Sequence, residues 1–137
     1  MNEIKVPVSP GELLDKITIL RIKSQRIRDP QKLANVRLEL DALQATWVAS
    51  IHGATDLATH VKGDLEADID ALMSVNERLW TIEDEIRDKE RARAFDDDFI
   101  RLARAVYVEN DRRAAIKRRI NRTLGSAIVE EKSYADY

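Results

Sequence analysis

Residues 64–94 read DLEADIDALMSVNERLWTIEDEIRDKERARA, and within them Leu65, Ile69, Leu72, Val75, Leu79, Ile82 and Ile86 recur in steps of three and four. That spacing keeps one face of a 3.6-residue helix apolar, and neither proline nor glycine interrupts it. The stretch is the longest periodic segment of the chain and is expected to be one helix from Asp64 to about Ala94.

Working outward, Phe95-Asp96 reads as a hydrophobic staple and cap, with Phe95 packing on Ile100, four residues inside the next helix. Asp97 and Asp98 suit the positive end of that helix. Phe99, Leu102, Val106, Ile116, Ile120 and Leu124 carry it to Gly125, a C-terminal stop. On the other side Gly53 marks a turn, and Ala54 to Gly63 reads as a loop or short irregular helix. Before it, Asp29 caps and Pro30 opens a helix whose apolar seam is Leu33, Val36, Leu40, Leu43 and Trp47, running on to Ile51.

The first helix starts at Ser9-Pro10-Gly11-Glu12, a capping box with proline at the first helical position. Its seam is Leu13, Ile17, Leu20 and Ile27, with Ser24 between. Leu14, Ile19 and Ile22 point elsewhere, so this helix is apolar on more than one face and is either central or an oligomer contact. The expected fold is all-α: an antiparallel bundle of about four helices, with 1–137 as a single helical domain and 125–137 as a tail that docks on the bundle or on a partner.

Composition agrees with this and removes several functions. Of 137 residues, 44% are hydrophobic and 35% charged, with four glycines and three prolines, as in a helical globular protein. A net charge of -2 supplies no general attraction to nucleic acid or an anionic membrane. No cysteine occurs, which excludes disulfides, thiolate nucleophiles and cysteine-based zinc sites. The first ten residues lack an apolar signal core, and no run approaches the ~18 apolar residues of a membrane span. A cytoplasmic protein without cofactor is expected.

Four polar residues interrupt the apolar seams: Asn76 and Glu83 in the third helix, Asn110 and Lys117 in the fourth. Asn76, Trp80, Glu83 and Arg87 share one stripe, and Asn110, Arg113, Lys117 and Asn121 share another. If the stripes face each other, Glu83 must be satisfied by Lys117 or Arg113, or hold a ligand with them, because an unpaired buried charge is costly. A polar network that only fixes helix register accounts for the same pattern. Lys16 and Arg21 add positive charge if their face turns inward, and are solvated otherwise.

The third and fourth helices also carry opposite charge. Residues 64–98 hold thirteen acidic and five basic side chains, whereas 99–124 hold eight basic and two acidic, so flank-to-flank ion pairs are expected. The competing reading is an anion-binding face of Arg112, Arg113, Lys117, Arg118, Arg119 and Arg122. No aromatic residue lies among these positions to stack on a base, so nucleic acid is not an expected partner. Glu83-Asp84-Glu85 with Asp88, and Asp96-Asp97-Asp98, raise a magnesium alternative of the kind used by all-helical nucleotide pyrophosphatases, but the paired motifs of such enzymes are not evident. His52 and His60 lack the spacing of a helical metal pair and are expected at the surface, and no metal site is assigned. No nucleophile elbow, phosphate loop or dinucleotide fingerprint occurs.

Taken together, SPGELLDKITIL at 9–20, Val75-Asn76, Leu79-Trp80, Ile82-Glu83-Asp84, Asn110-Asp111 and EEKSY at 130–134 resemble a small bacterial family of helical domains of unknown function. The resemblance covers Ser9 to Tyr137 and implies a stand-alone bacterial helical domain, without an activity. A fainter likeness, to the all-helical chorismate mutases, rests on the Ile, Leu and Arg content of the first helix and on Arg, Lys and Glu side chains suited to a pocket. No position is carried over from it.

Two functions are therefore in play. One is a non-enzymatic interaction module, expected as a homodimer through the spare apolar face of the first helix, with Tyr134 and Tyr137 of the tail contacting a protein partner. The other is a binder of a small anionic ligand, or an enzyme, with Lys117 and Arg113 holding the anion, Glu83 as acid or base, Asn76 and Asn110 orienting it, and Lys16 nearby.

Overall fold

A computed structural model describes residues 2–52 and 59–137 and shows an all-α bundle: α1 Pro10–Arg26, α2 Pro30–His52, α3 Thr59–Arg91 and α4 Asp97–Thr123. Each of three helices begins where a side-chain oxygen meets an orphan amide. Ser9 Oγ accepts from the Glu12 amide at 3.2 Å, Asp29 Oδ1 from Lys32 at 2.8 Å and Asp96 Oδ1 from Phe99 at 3.0 Å. The stretch Ala54 to Gly63, expected as a loop or short irregular helix, falls partly on 53–58, outside the described residues. Its last part is helical, since α3 already runs from Thr59. The side chains of 52, 59 and 60 are also outside the described set, and with them the expectation for His52 and His60.

At its other end α3 stops at Arg91 and not at Ala94. Arg93 takes a left-handed conformation, φ 51°, and the amides of Arg93 and Ala94 turn back to the carbonyls of Glu90 and Lys89, both at 3.0 Å. This is a Schellman closure built on arginine, which carries no sequence signal. Gly125, φ 63°, closes α4 in the same way, with Ser126 N–H on the Asn121 carbonyl at 2.9 Å. Where a Phe95–Ile100 staple is expected, both residues are 53% exposed, and Phe95 meets Phe99 edge-on at 5.2 Å.

Helix α1 packs on α2, α3 and α4, and α3 packs on α4. The pairs Asp68–Arg119, Arg78–Glu109 and Lys89–Asp96 run in opposite chain order, so α3 and α4 are antiparallel. Leu14, Leu65, Leu72, Val75, Ile116 and Ile120 form one buried cluster, with Trp47 and Ile51 of α2 at its edge. On α1, Leu13, Leu14, Ile17, Leu20 and Ile22 are all buried. Of the apolar side chains of α1 beyond its seam, Leu14 and Ile22 are buried within the chain, while Ile19 is half-buried on the wall of a cleft. Each such side chain contributes ~1.5–3 kcal/mol on burial, so truncating Ile17 to alanine costs about 2–5 kcal/mol.

Candidate functional site

The site begins with a stripe of α1 that periodicity alone does not single out: Gly11, Asp15, Thr18 and Ile22, in steps of four, three and four, all buried. Gly11 lets two helices touch. A Cβ there would lie 2.6 Å from the Lys117 carbonyl oxygen, and the Gly11 amide donates to Asn121 Oδ1 at 2.7 Å. One turn on, Asp15 is 1% exposed and meets the Arg113 guanidinium through both oxygens; Arg113 Nε donates to Oδ1 at 2.8 Å, and Nη2 donates to Oδ2. Asn76 of α3 donates to Asp15 Oδ1 and to Thr18 Oγ1, both at 2.9 Å, and Thr18 Oγ1 donates to the Asp15 carbonyl at 2.8 Å. Lys117 Nζ donates to Glu12 at 2.6 Å and reaches Glu130 of the tail at 2.8 Å.

Among the described residues, no buried side-chain nitrogen or oxygen lacks a partner. The network therefore meets the condition under which buried charge is tolerated. Its electrostatics hold both cations charged. The bond to Asp15 raises the Arg113 pKa above its ordinary value, with burial opposing. At Lys117 burial is the largest influence and works to lower the pKa, yet the bonds to Glu12 and Glu130 and the charge of Asp15 together leave it raised. A lysine so held keeps its proton and does not serve as a general base.

Beside this network a cleft of ≈ 490 Å³ opens between α1, α3 and α4. Ile19, Ile22, Leu79 and Trp80 give it an apolar side, and Asn76, Glu83, Asn110 and Arg113 a polar one. Four of the six residues expected from sequence therefore come together. Lys117 instead lines a second cavity of ≈ 260 Å³, which Asn110 and Arg113 share. Lys16 is half exposed, 3.9 Å from Glu12, and lines neither cavity.

The expected pairing of Glu83 with Lys117 or Arg113 is not what forms. Glu83 is half exposed and bonds Arg87, one turn along α3, at 3.3 Å. The reason lies in α1, whose Glu12 and Asp15 take the cations of α4, leaving α3 to contribute the neutral Asn76. The capping box is half formed for the same cause: Ser9 caps, while Glu12 turns to Lys117. Sequence reasoning missed Glu12, Asp15, Thr18 and Glu130. Asp15 had a signal, since a helix apolar on several faces has little solvated surface for an acid between Leu14 and Ile17.

The charged flanks pair as opposed helices should. Arg119 meets Asp68 at 2.8 Å, and Glu109, 7% exposed, holds both Arg78 at 3.0 Å and Arg112 at 2.7 Å. In the acidic runs, Asp88 pairs with Arg91 at 3.0 Å and Asp96 with Lys89 at 2.9 Å. The Lys89 bond, joined by the Phe99 amide, lowers the Asp96 pKa. The tail turns back along α4: Tyr137 donates its hydroxyl to Asp111 at 2.6 Å and packs on Tyr107 at 4.9 Å, whereas Tyr134 is 81% exposed. The Asp111 bond raises the Tyr137 pKa, because the phenol must keep its proton to donate.

An all-α bundle with a polar network at its centre and a mixed cleft beside it defines an architectural class and not an activity. Within that class the chain belongs to DUF6165, a family of unknown function whose family model matches residues 4–137. No curated protein and no solved structure matches it. Among the described residues, no helix is long and apolar enough to cross a membrane.

Proposed function

We propose that this protein binds a small molecule with an apolar or ring-shaped body and an anionic group, in the cleft between α1, α3 and α4. The observation that carries this reading is Arg113. Asp15 engages its Nε and Nη2 from the buried side, which orients the guanidinium while leaving Nη1 for a ligand in the cleft. Asn76 spends its amide protons on Asp15 and Thr18, so its carbonyl oxygen remains to accept a bond. Trp80 and Leu79 provide the surface against which a flat or apolar body packs. Arg113 and Lys117 both hold their protons more firmly than usual, so each meets an anionic group as a cation.

Trp47 and Trp80 are the two tryptophans, so a Trp47→Phe variant makes Trp80 the sole indole reporter. Small carboxylates, phosphate monoesters and their neutral analogues are titrated against it, alongside a thermal-shift screen. A saturable change in Trp80 emission with an anionic compound, weakened at least ten-fold by Asn110→Ala without loss of fold, supports the reading. Absence of a saturable change across the panel overturns it.

A second reading, capture of a protein partner by the tail, draws on Val129 and Tyr134, which are 63% and 81% exposed. It requires Tyr134→Ala to abolish capture while leaving helicity unchanged.

A further inference from the structure

After Gly125 the tail is held by few contacts: the Ser126 turn, Glu130 on Lys117, Lys132 3.5 Å from the Asn110 carbonyl, and Tyr137 on Asp111 and Tyr107. Its apolar side chains are not what attaches it, since Ile128, Val129 and Tyr134 all remain exposed. A segment docked to add core would bury them. Instead its half-exposed Glu130 carboxylate is placed on a lysine that is itself only 7% exposed.

An ammonium group has three protons to donate. On Lys117 one goes to Glu12 and one to Glu130, while Asp15, the next acid, stands 3.9 Å away. Arg113 lies one turn before Lys117 on α4, and both border the ≈ 260 Å³ cavity that Glu130 and Lys132 help to wall. Removal of Glu130 leaves a nearly buried cation with Glu12 as its one close acceptor, beside a cavity walled by that same Glu12 and by the further cations Arg113 and Lys132.

We propose that Glu130 occupies an oxyanion site: the carboxylate or phosphate group of an external ligand takes its place on Lys117, with Arg113 beside it, and the tail is the strap that closes the site. A tethered carboxylate competes at an effective concentration in the millimolar range, so the intact tail weakens apparent affinity for a free anion. The strap's exposed contacts with α4 are each of the weak surface kind, which makes exchange accessible. The site shares Arg113 and Asn110 with the Trp80 cleft, but it is read at Lys117 and stands or falls separately.

The test uses the full chain, wild type and Glu130→Ala, titrated at constant ionic strength with inorganic phosphate and, in a separate arm, with acetate. Binding is followed through the side-chain NMR resonances of Lys117. Glu130→Ala is expected to bind at least one of the two anions ten-fold or more tightly than wild type, with the Lys117 signals moving in step. Tighter phosphate assigns the site to phosphate groups, and tighter acetate assigns it to carboxylates. Equal affinities of the two proteins for both anions, or binding that leaves the Lys117 signals unmoved, overturns the proposal and makes Glu130 a fastening only.

Discussion

Asp15 and Arg113 stand 98 positions apart in the chain, yet each oxygen of the carboxylate accepts from the guanidinium of the other residue, at the level where α1, α3 and α4 meet. The acid is 1% exposed, so removal of Arg113 strands a charge away from water, whereas the guanidinium itself keeps contact with the cleft. Arg113→Met is expected to cost about 3–5 kcal/mol in urea denaturation, whereas the double replacement Asp15→Leu with Arg113→Met costs clearly less than the sum of its parts. A loss under ~1 kcal/mol in the single variant would show that the pair is not what closes the bundle.

Two glycines in helices should respond with opposite sign. Gly11→Ala pushes a methyl to 2.6 Å from the Lys117 carbonyl and is expected to destabilise by about 1–3 kcal/mol. A Cβ at Gly63 would meet nothing within 4 Å, so Gly63→Ala should gain ~0.5–1 kcal/mol from helix propensity. Thermal melting of the two variants decides this, and a shift of the same sign in both contradicts the packing described.

At alkaline pH the network fails through Lys117. Its pKa in the folded chain is raised above the ordinary 10.5, so its contribution is complete below that value and is lost as pH rises through the higher folded value. The melting temperature should fall more steeply above about pH 10.5 in wild type than in Lys117→Met. Parallel curves for the two proteins would rule the lysine out as the cause.

Glu83 and Lys117 should part company on mutation. Glu83→Gln removes an exposed bond to Arg87 and is expected to change stability by less than ~0.5 kcal/mol. Lys117→Met leaves Glu12 and Glu130 without their shared cation, but both retain access to water, and about 1–3 kcal/mol is expected. Chemical denaturation of the single variants measures both.

The four helices were legible because their determinants are local. Ser9, Asp29 and Asp96 are caps that need no knowledge of the fold, and the three-four spacing from Leu65 to Ile86 needs none either. Arg93 escaped because a left-handed arginine is indistinguishable in sequence from a helical one. The candidate site was half legible: of the four polar residues in apolar seams, Asn76, Glu83 and Asn110 line one cleft, while Lys117 lines the neighbouring cavity and does not pair with Glu83. What could not be read was the origin of the countercharge. Glu12 has a complete local explanation as part of a capping box, and Asp15 lies among apolar neighbours that draw attention to packing. Only the close approach permitted by Gly11 brings α4 near enough to claim both acids, and no pattern within one helix reports on that distance.

Asn121 accepts the Gly11 amide on its side chain and the Ser126 amide on its carbonyl, joining the beginning of α1 to the turn after α4. The Gly11 bond spans 110 positions. On the ribosome, α1 is made first of the four helices but cannot complete its surroundings until the last turn of α4 has been synthesised. Throughout that interval its leucines and isoleucines are without their final cover.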